Sequence, residues 1–174
     1  MAGPGANFRF RPEADTHILV TMSNDPTAKV LFRIIEDDGS SSVETLWAVP
    51  LDDDLYKLDN SPFYAYGVSW QDTVYAPFDP QEEMPTFVSV VEKSGNRTVR
   101  LILDPPASAG SETEGVLRGL IELGCSYEGA NFRYFSVTVP PGVELESVRE
   151  YLIELDVQWE HADPTYGSLF PDDH

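Results

Sequence analysis

Residues 86–103 read TFVSVVEKSGNRTVRLIL, two runs rich in β-branched residues on either side of a Lys-Ser-Gly-Asn break. Gly95-Asn96 suits the positive φ that a two-residue hairpin turn demands. The register this predicts sets Val91 opposite Arg100 and Lys93 opposite Thr98. One face then carries Val88, Val90, Val99, Leu101 and Leu103, which is a core face. The other mixes Phe87, Val91 and Ile102 with Lys93 and Arg100, a local positive charge in an acidic chain. The placement of this segment decides the fold, because the sequence has different habits on its two sides.

On the C-terminal side, DPPASAG (104–110) reads as a loop, and Ser111 with Glu114 three residues on is a capping-box signature. The helix it starts keeps Val116, Leu117, Leu120 and Ile121 on one side. Gly115 and Gly119 weaken that helix by roughly 1 kcal/mol each relative to Ala, and their spacing of four would let it lie close to a sheet. Gly124 is the stop. CSYEGANFRYFSVTV (125–139) predicts two strands around an EGAN turn. A second helix is predicted over 144–155, with Leu145, Val148, Leu152 and Leu155 inward, and VQWEHA (157–162) as a last strand. With 98–103 as the first strand, the order is β-α-β-β-α-β, that of the ferredoxin-like fold.

The N-terminal side is strand-rich. THILVTM (16–22) and KVLFRII (29–35) flank a turn-forming SNDPTA, and Val43, Thr45, Trp47, Val49 and Leu51 alternate with Glu44 and Ala48 as one buried face. DNSPFYAYGVSWQDTV (59–74) follows. Pro62 removes a backbone donor and Gly67 permits positive φ, so the segment bends. Ser69 and Asp72 have side chains short enough to bond nearby amides in a turn, while Phe63, Tyr64 and Tyr66 would fold over the end of a barrel. The predicted architecture is α+β: a disordered arm (1–15), a small β-barrel-like domain (16–97), a ferredoxin-like unit (98–163) sharing the hairpin 86–103, and a flexible acidic tail (164–174).

Composition narrows the function. Eleven basic residues against 30 acidic ones give a net charge of −19. Such a chain repels phosphate backbones and anionic lipid, which argues against nucleic-acid and membrane partners and leaves two consequences, high solubility, the plainer one, or attraction to a basic protein partner. No apolar run reaches the length of a membrane span, the first residues lack the apolar segment of a secretory signal, and Cys125 is the single cysteine. A cytoplasmic location is expected.

The βαββαβ order raises RNA binding, since Phe132 and Tyr134 would point away from the helices. Few cations accompany them, and packing against the N-terminal domain explains them better. Cys125 would need His161 and an acid beside it to act as a nucleophile, with His17 and His174 near the termini, and a buried structural role fits it better. The sequence holds no His-x-His, HExxH, CxxC, GxGxxG or GxxxxGK[ST] motif, so no metal or cofactor is expected. Arg100 is read as pairing with a carboxylate across the sheet, the sharper option being an anion site built on its fork.

The blocks LWAVPLDDDLYKLDNSPFYAYGVSWQDTV, VVEKSGNRTVRLIL and LIELGCSYEG resemble an uncharacterised bacterial family catalogued as a domain of unknown function in the four-thousand series. The resemblance spans about residues 30–160 and rests on Trp47, Pro50, Asn60, Pro62, Phe63, Gly67, Ser69, Asp72, Ser94, Gly95, Thr98, Arg100 and Gly124. The family pattern has Gly before the aspartate of the turn where this chain has Gln71, which implies a looser turn. The expected function is an acidic protein-binding or regulatory module, an immunity or inhibitor protein for a basic partner being one form. The alternative is a small-ligand-binding protein or enzyme with its site in the cleft between the halves, drawn from Asn60, Tyr66, Asp72, Lys93 and Arg100.

Overall fold

The computed structural model describes residues 8–10, 26–36 and 38–172; the strand expected at 16–22 lies outside these, as do His17 and His174. The elements run β1 (Phe8–Phe10), β2 (Ala28–Ile35), β3 (Ser41–Pro50), β4 (Leu55–Leu58), β5 (Thr73–Tyr75), the short pair β6 (Phe78–Asp79) and β7 (Met84–Pro85), β8 (Ser89–Glu92), β9 (Arg97–Ile102), α1 (Glu112–Glu122), β10 (Ser126–Gly129), β11 (Tyr134–Val139), α2 (Leu145–Glu154), β12 (Gln158–Asp163) and α3 (Tyr166–Leu169). This is a mixed α+β fold with two antiparallel five-stranded sheets, ordered β2-β3-β4-β5-β8 and β1-β10-β11-β9-β12.

The segment 86–103 is not a hairpin. β8 pairs with β5 in the first sheet and β9 with β11 and β12 in the second, so the chain changes sheets at Lys93–Asn96. Gly95 does take positive φ (+87°), as its place in a turn suggested. The turn's polar groups, however, bond to the loop before β5: Ser94 N–H donates to Asp72 at 2.8 Å, and Ser94 Oγ and Asn96 Nδ2 donate to the Trp70 carbonyl at 2.8 and 2.9 Å. Those bonds hold the arms apart. Val99, Leu101 and Leu103 join the helix-side core, whereas Val88, expected with them, is exposed.

Among the described residues the first sheet is not a closed barrel. Its edge strand β2 meets the segment just before β8 through an isolated bridge between Leu31 and Thr86, reinforced by Phe87 N–H donating to the Leu31 carbonyl at 2.8 Å. Its core gathers Val30, Phe32, Leu46, Ala48, Leu58, Ala65, Val68, Val74 and Ala76. In β3 the buried face is the opposite of the one expected: Glu44, Leu46 and Ala48 point inward, while Val43 is 59 % exposed and Trp47 is also exposed. A period of two identifies faces but not which one is buried, and one step of parity exchanges them.

In the second sheet, α1 and α2 cover one face. Val116, Leu117, Leu120, Val148 and Leu152 pack on Val99, Leu101, Phe135 and Val137. Ser111 caps α1 as predicted, its Oγ accepting from Glu114 N–H at 3.0 Å while the Glu114 carboxylate reaches back to Gly110 N–H. Gly119 serves the contact with α2, not with the sheet: a Cβ there would lie 1.9 Å from Tyr151 Oη, which donates to the Val116 carbonyl at 3.1 Å. The predicted inward Leu155 is exposed past the end of α2. Two terminal expectations also change. Phe8–Phe10 of the supposed arm pairs with β10, and Tyr166–Leu169 of the supposed tail is a helical turn capped by Thr165.

Candidate functional site

Helices cover one face of the second sheet, and the loop 59–72 covers much of the other. That loop-covered face is polar, because alternate residues of four neighbouring strands carry it. Glu128, Ser136, Arg100 and Glu160 stand directly opposite one another in one row, and Thr138, Thr98 and Asp163 in the next. A β12 irregularity between His161 and Asp163 puts Asp163 in that second row.

The centre of the contact is the tripeptide Phe63–Ala65. From the first sheet, the buried Glu44 carboxylate (8 % exposed) accepts the N–H groups of Phe63, Tyr64 and Ala65 at 2.7, 3.0 and 2.8 Å. From the second, the Arg100 guanidinium (2 % exposed) donates to the carbonyls of Phe63, at 2.7 Å, and Ala65. Backbone dipoles thus meet two buried charges from opposite sides, which is how a charge is kept out of water at tolerable cost, although Arg100 Nε has no partner among the described residues. Arg100 also lies 4.4 Å from the centre of the Tyr66 ring and 3.6 Å from Glu160, the cross-sheet carboxylate expected for it.

The five candidate residues fall into three groups. Asn60 is structural at both ends of its amide, accepting from Trp47 N–H at 2.8 Å and donating to Glu128 at 3.1 Å. Ser61 beside it bonds Ser136 at 2.9 Å. Tyr66 and Arg100 stack, and the Tyr66 hydroxyl donates to Glu160 at 2.8 Å. Burial, then that hydrogen bond, raises the Tyr66 phenol to about 12. Asp72 and Lys93 meet at 3.0 Å, and Lys93 also reaches Asp163 at 2.7 Å and the Gly67 carbonyl at 2.7 Å. Ser69 completes this group, its Oγ donating to Asp163 at 2.6 Å. Within the turn, Asp72 accepts Ser69 N–H at 2.9 Å as the sequence suggested. Gln71 takes φ +66°, the region that favours the glycine of the family pattern. The turn is held rather than loose, with Gln71 N–H on the Leu58 carbonyl at 2.9 Å.

Sequence reasoning missed Glu44, Glu128, Ser136, Thr98, Glu160 and Asp163. The signal was there in β9 and β11, where Thr98 and Arg100, and Tyr134, Ser136 and Thr138, alternate with apolar residues. From the sequence, Tyr134 on this face is expected to pack against the N-terminal half, an expectation not extended to Ser136, Thr138 and Thr98 beside it. Tyr134 packs on Phe63 and Tyr64, ring centres 6.0 and 5.8 Å apart, and its hydroxyl donates to the Phe63 carbonyl, so it lies under the loop. Phe132 is exposed. Cys125 is buried, which pushes its thiol up to about 11, away from the thiolate a nucleophile needs. Among the described residues no three of His, Cys, Asp and Glu gather as a metal set, and no helix is long and apolar enough to cross a membrane.

Two adjoining cavities open along β12, the edge strand of the second sheet. One, of about 660 Å³, is lined by Tyr66, Arg149, Trp159, Glu160, His161 and Tyr166 among others; the second, of about 420 Å³, includes Tyr64, Arg100, Tyr134, Trp159 and Glu160. Tyr66 and Arg100 are therefore the candidates that border open space, while the polar atoms of Asn60 and Asp72 are engaged by the bonds above.

These features define an α+β protein in which two open antiparallel sheets are joined through a doubly clamped loop. The family model described as Domain of unknown function (DUF4265) matches residues 44–161, and the chain belongs to that family. No curated protein matches the sequence. Among solved structures, the fold is similar to that of a hypothetical protein from Neisseria gonorrhoeae, with a TM-score of 0.69 at 16 % identity, covering 80 % of this chain and 96 % of that one.

Proposed function

We propose that the chain is a cytoplasmic protein-binding module that docks a basic partner on its helical layer, and that its βαββαβ unit is of the ferredoxin-like type. The strand order β10-β11-β9-β12, with both helices on one face, supports the second part. For the first, the carrying observation is the make-up of the exposed side of α1 and α2. Arg118 and Arg149 are ion-paired to Glu114 and Glu146 of their own helices at 3.6 and 2.6 Å. Glu112, Glu122, Glu144, Glu150, Glu154 and Asp156 stand exposed around them. Within that acidic rim Ile153 is 54 % exposed and Leu155 is exposed as well. Apolar anchors ringed by charge of one sign are the form of a steered protein interface.

The test is capture from native lysate by the immobilised chain and by two variants of altered charge. In Glu150→Gln/Ile153→Ser/Glu154→Gln the docking face is changed; in Asp52→Asn/Asp53→Asn an equal charge is removed elsewhere. A basic protein retained at low salt, released at high salt and lost only with the first variant supports the proposal. Equal retention by both variants, or no basic protein retained, contradicts it.

A further inference from the structure

We propose that a third cavity, at the end of the helical layer where α1 begins and α2 stops, receives a cationic side chain of the basic partner. The inference rests on the docking reading above and names the anchor pocket of that face. The cavity holds about 790 Å³, within the range of sites that enclose a small group. Leu103, Val116, Leu155 and Val157 supply its apolar wall, and Asp104, Glu112 and Asp156 supply carboxylates. No lysine, arginine or histidine is among the described residues that line it. Lysine and arginine lay their stems along apolar surface while the head stays charged, and a wall and rim of this kind fit that shape.

Two features of the helices cost stability and gain nothing within the chain. The first is Gly115, inside α1, where glycine weakens the helix. Gly119, one turn on, is explained by Tyr151, but a Cβ at Gly115 would meet nothing within 4 Å. Its place on the cavity lining gives that glycine a use, because it leaves the floor bare for a stem from outside. The second is Asp156, just past α2. It takes φ +53°, a position that glycine or asparagine fills without adding a charge. It also sets a carboxylate at the negative end of the helix dipole, and the last turn of α2 carries no base to offset it. Glu112 suits the positive start of its own helix; Asp156 has no such reason. Among the described residues neither is ion-paired, whereas Asp104 is held by Arg133 at 3.0 Å. A cation in the cavity would meet both unpaired carboxylates and the carbonyl end of α2 together.

The experiment titrates 3-phenylpropylammonium, a cation on an apolar stem, into the ¹⁵N-labelled full chain, with 3-phenylpropanol (no charge) and 3-phenylpropanoate (an anion) as controls. Binding is read from the amide resonances of Gly115, Asp156 and Val157. The expected result is a saturable shift of all three with the cation, and binding of both controls weaker by about tenfold or more. Glu112→Gln/Asp156→Asn removes the partners of the charged head and is expected to weaken the cation by a similar factor while leaving the alcohol unchanged. Gly115→Leu fills the floor, and it is expected to fold because a good helix former enters open space. It should weaken cation and alcohol alike and abolish capture of the basic protein from lysate. The inference is overturned if the cation does not saturate, if either control binds as tightly, if both variants bind the cation unchanged, or if Gly115→Leu retains the basic protein as the parent does. That last outcome leaves the docking reading standing, whereas a parent that captures no basic protein contradicts the docking reading and this inference together.

Discussion

At the scale of single residues, Arg100 separates a structural reading from a ligand-binding one. Its guanidinium is spent on the Phe63 and Ala65 carbonyls. Arg100→Ala would leave the Ala65 carbonyl without its donor, the Phe63 carbonyl with the Tyr134 hydroxyl alone, and Glu44 without the opposing charge of the clamp, at a cost of about 3 kcal/mol. For a chain of this length that lowers Tm by about 6–12 °C in thermal unfolding; an unchanged Tm would show that the clamp carries little. Backbone strain offers a subtler pair. Gly67 has open space where a Cβ would go but φ +72°, so Gly67→Ala is expected to destabilise by about 1 kcal/mol. Gln71 already sits at φ +66°, and Gln71→Gly is expected to be neutral or stabilising by up to about 1 kcal/mol. Chemical denaturation of both variants checks the sign of each.

At the scale of elements, the C-terminal half was legible because each signal there was local. Ser111, Gly124 and the apolar stripe fix α1 without knowledge of the rest, and β10, β11 and α2 likewise fall close to their predicted bounds. The N-terminal half was less legible because its decisive contacts are long-range. Glu44 faces inward because of N–H groups some 20 positions on, and the Lys93–Asn96 turn changes sheets because of Trp70 and Asp72. No local periodicity records such bonds. The candidate site was half visible for the same reason: Asn60, Asp72 and Arg100 stood out as residues, while their partners Glu44, Glu128 and Asp163 looked like ordinary surface acids. One helix contact gives a clean test. Gly119→Ala forces a Cβ into the Tyr151 ring, so the ring or α2 must shift and the Tyr151 hydroxyl bond to α1 is disturbed, and a loss of about 2 kcal/mol is expected. Shortening the ring in Gly119→Ala/Tyr151→Leu should cost less than the sum of the two single changes. Strict additivity in a double-mutant cycle would place the Gly119–Tyr151 contact elsewhere.

At the scale of the whole molecule, pH tests how burial is distributed. His161 resists protonation when folded, so below pH about 6.5 the unfolded chain takes up a proton that the native one does not. Stability from this group is present at neutral pH and declines as pH falls. His161→Phe should therefore gain stability relative to the parent between pH 7 and pH 5, as measured by urea unfolding at each pH. Cys125 acts at the other end: its raised value contributes stability that is whole below pH about 8.5 and lost as pH climbs towards about 11.

Among the described residues the two sheets share no strand pair; they are joined through the loop 59–72, held from one side by Glu44 and from the other by Arg100. A double-mutant cycle on Glu44→Gln and Arg100→Gln, followed by urea unfolding with separate probes for each sheet, measures that joint directly. Each single change is expected to cost about 2–4 kcal/mol, the pair at least about 1 kcal/mol less than the sum, and the parent is expected to unfold in one transition. Small additive losses, or sheets that melt separately in the parent protein, would contradict it.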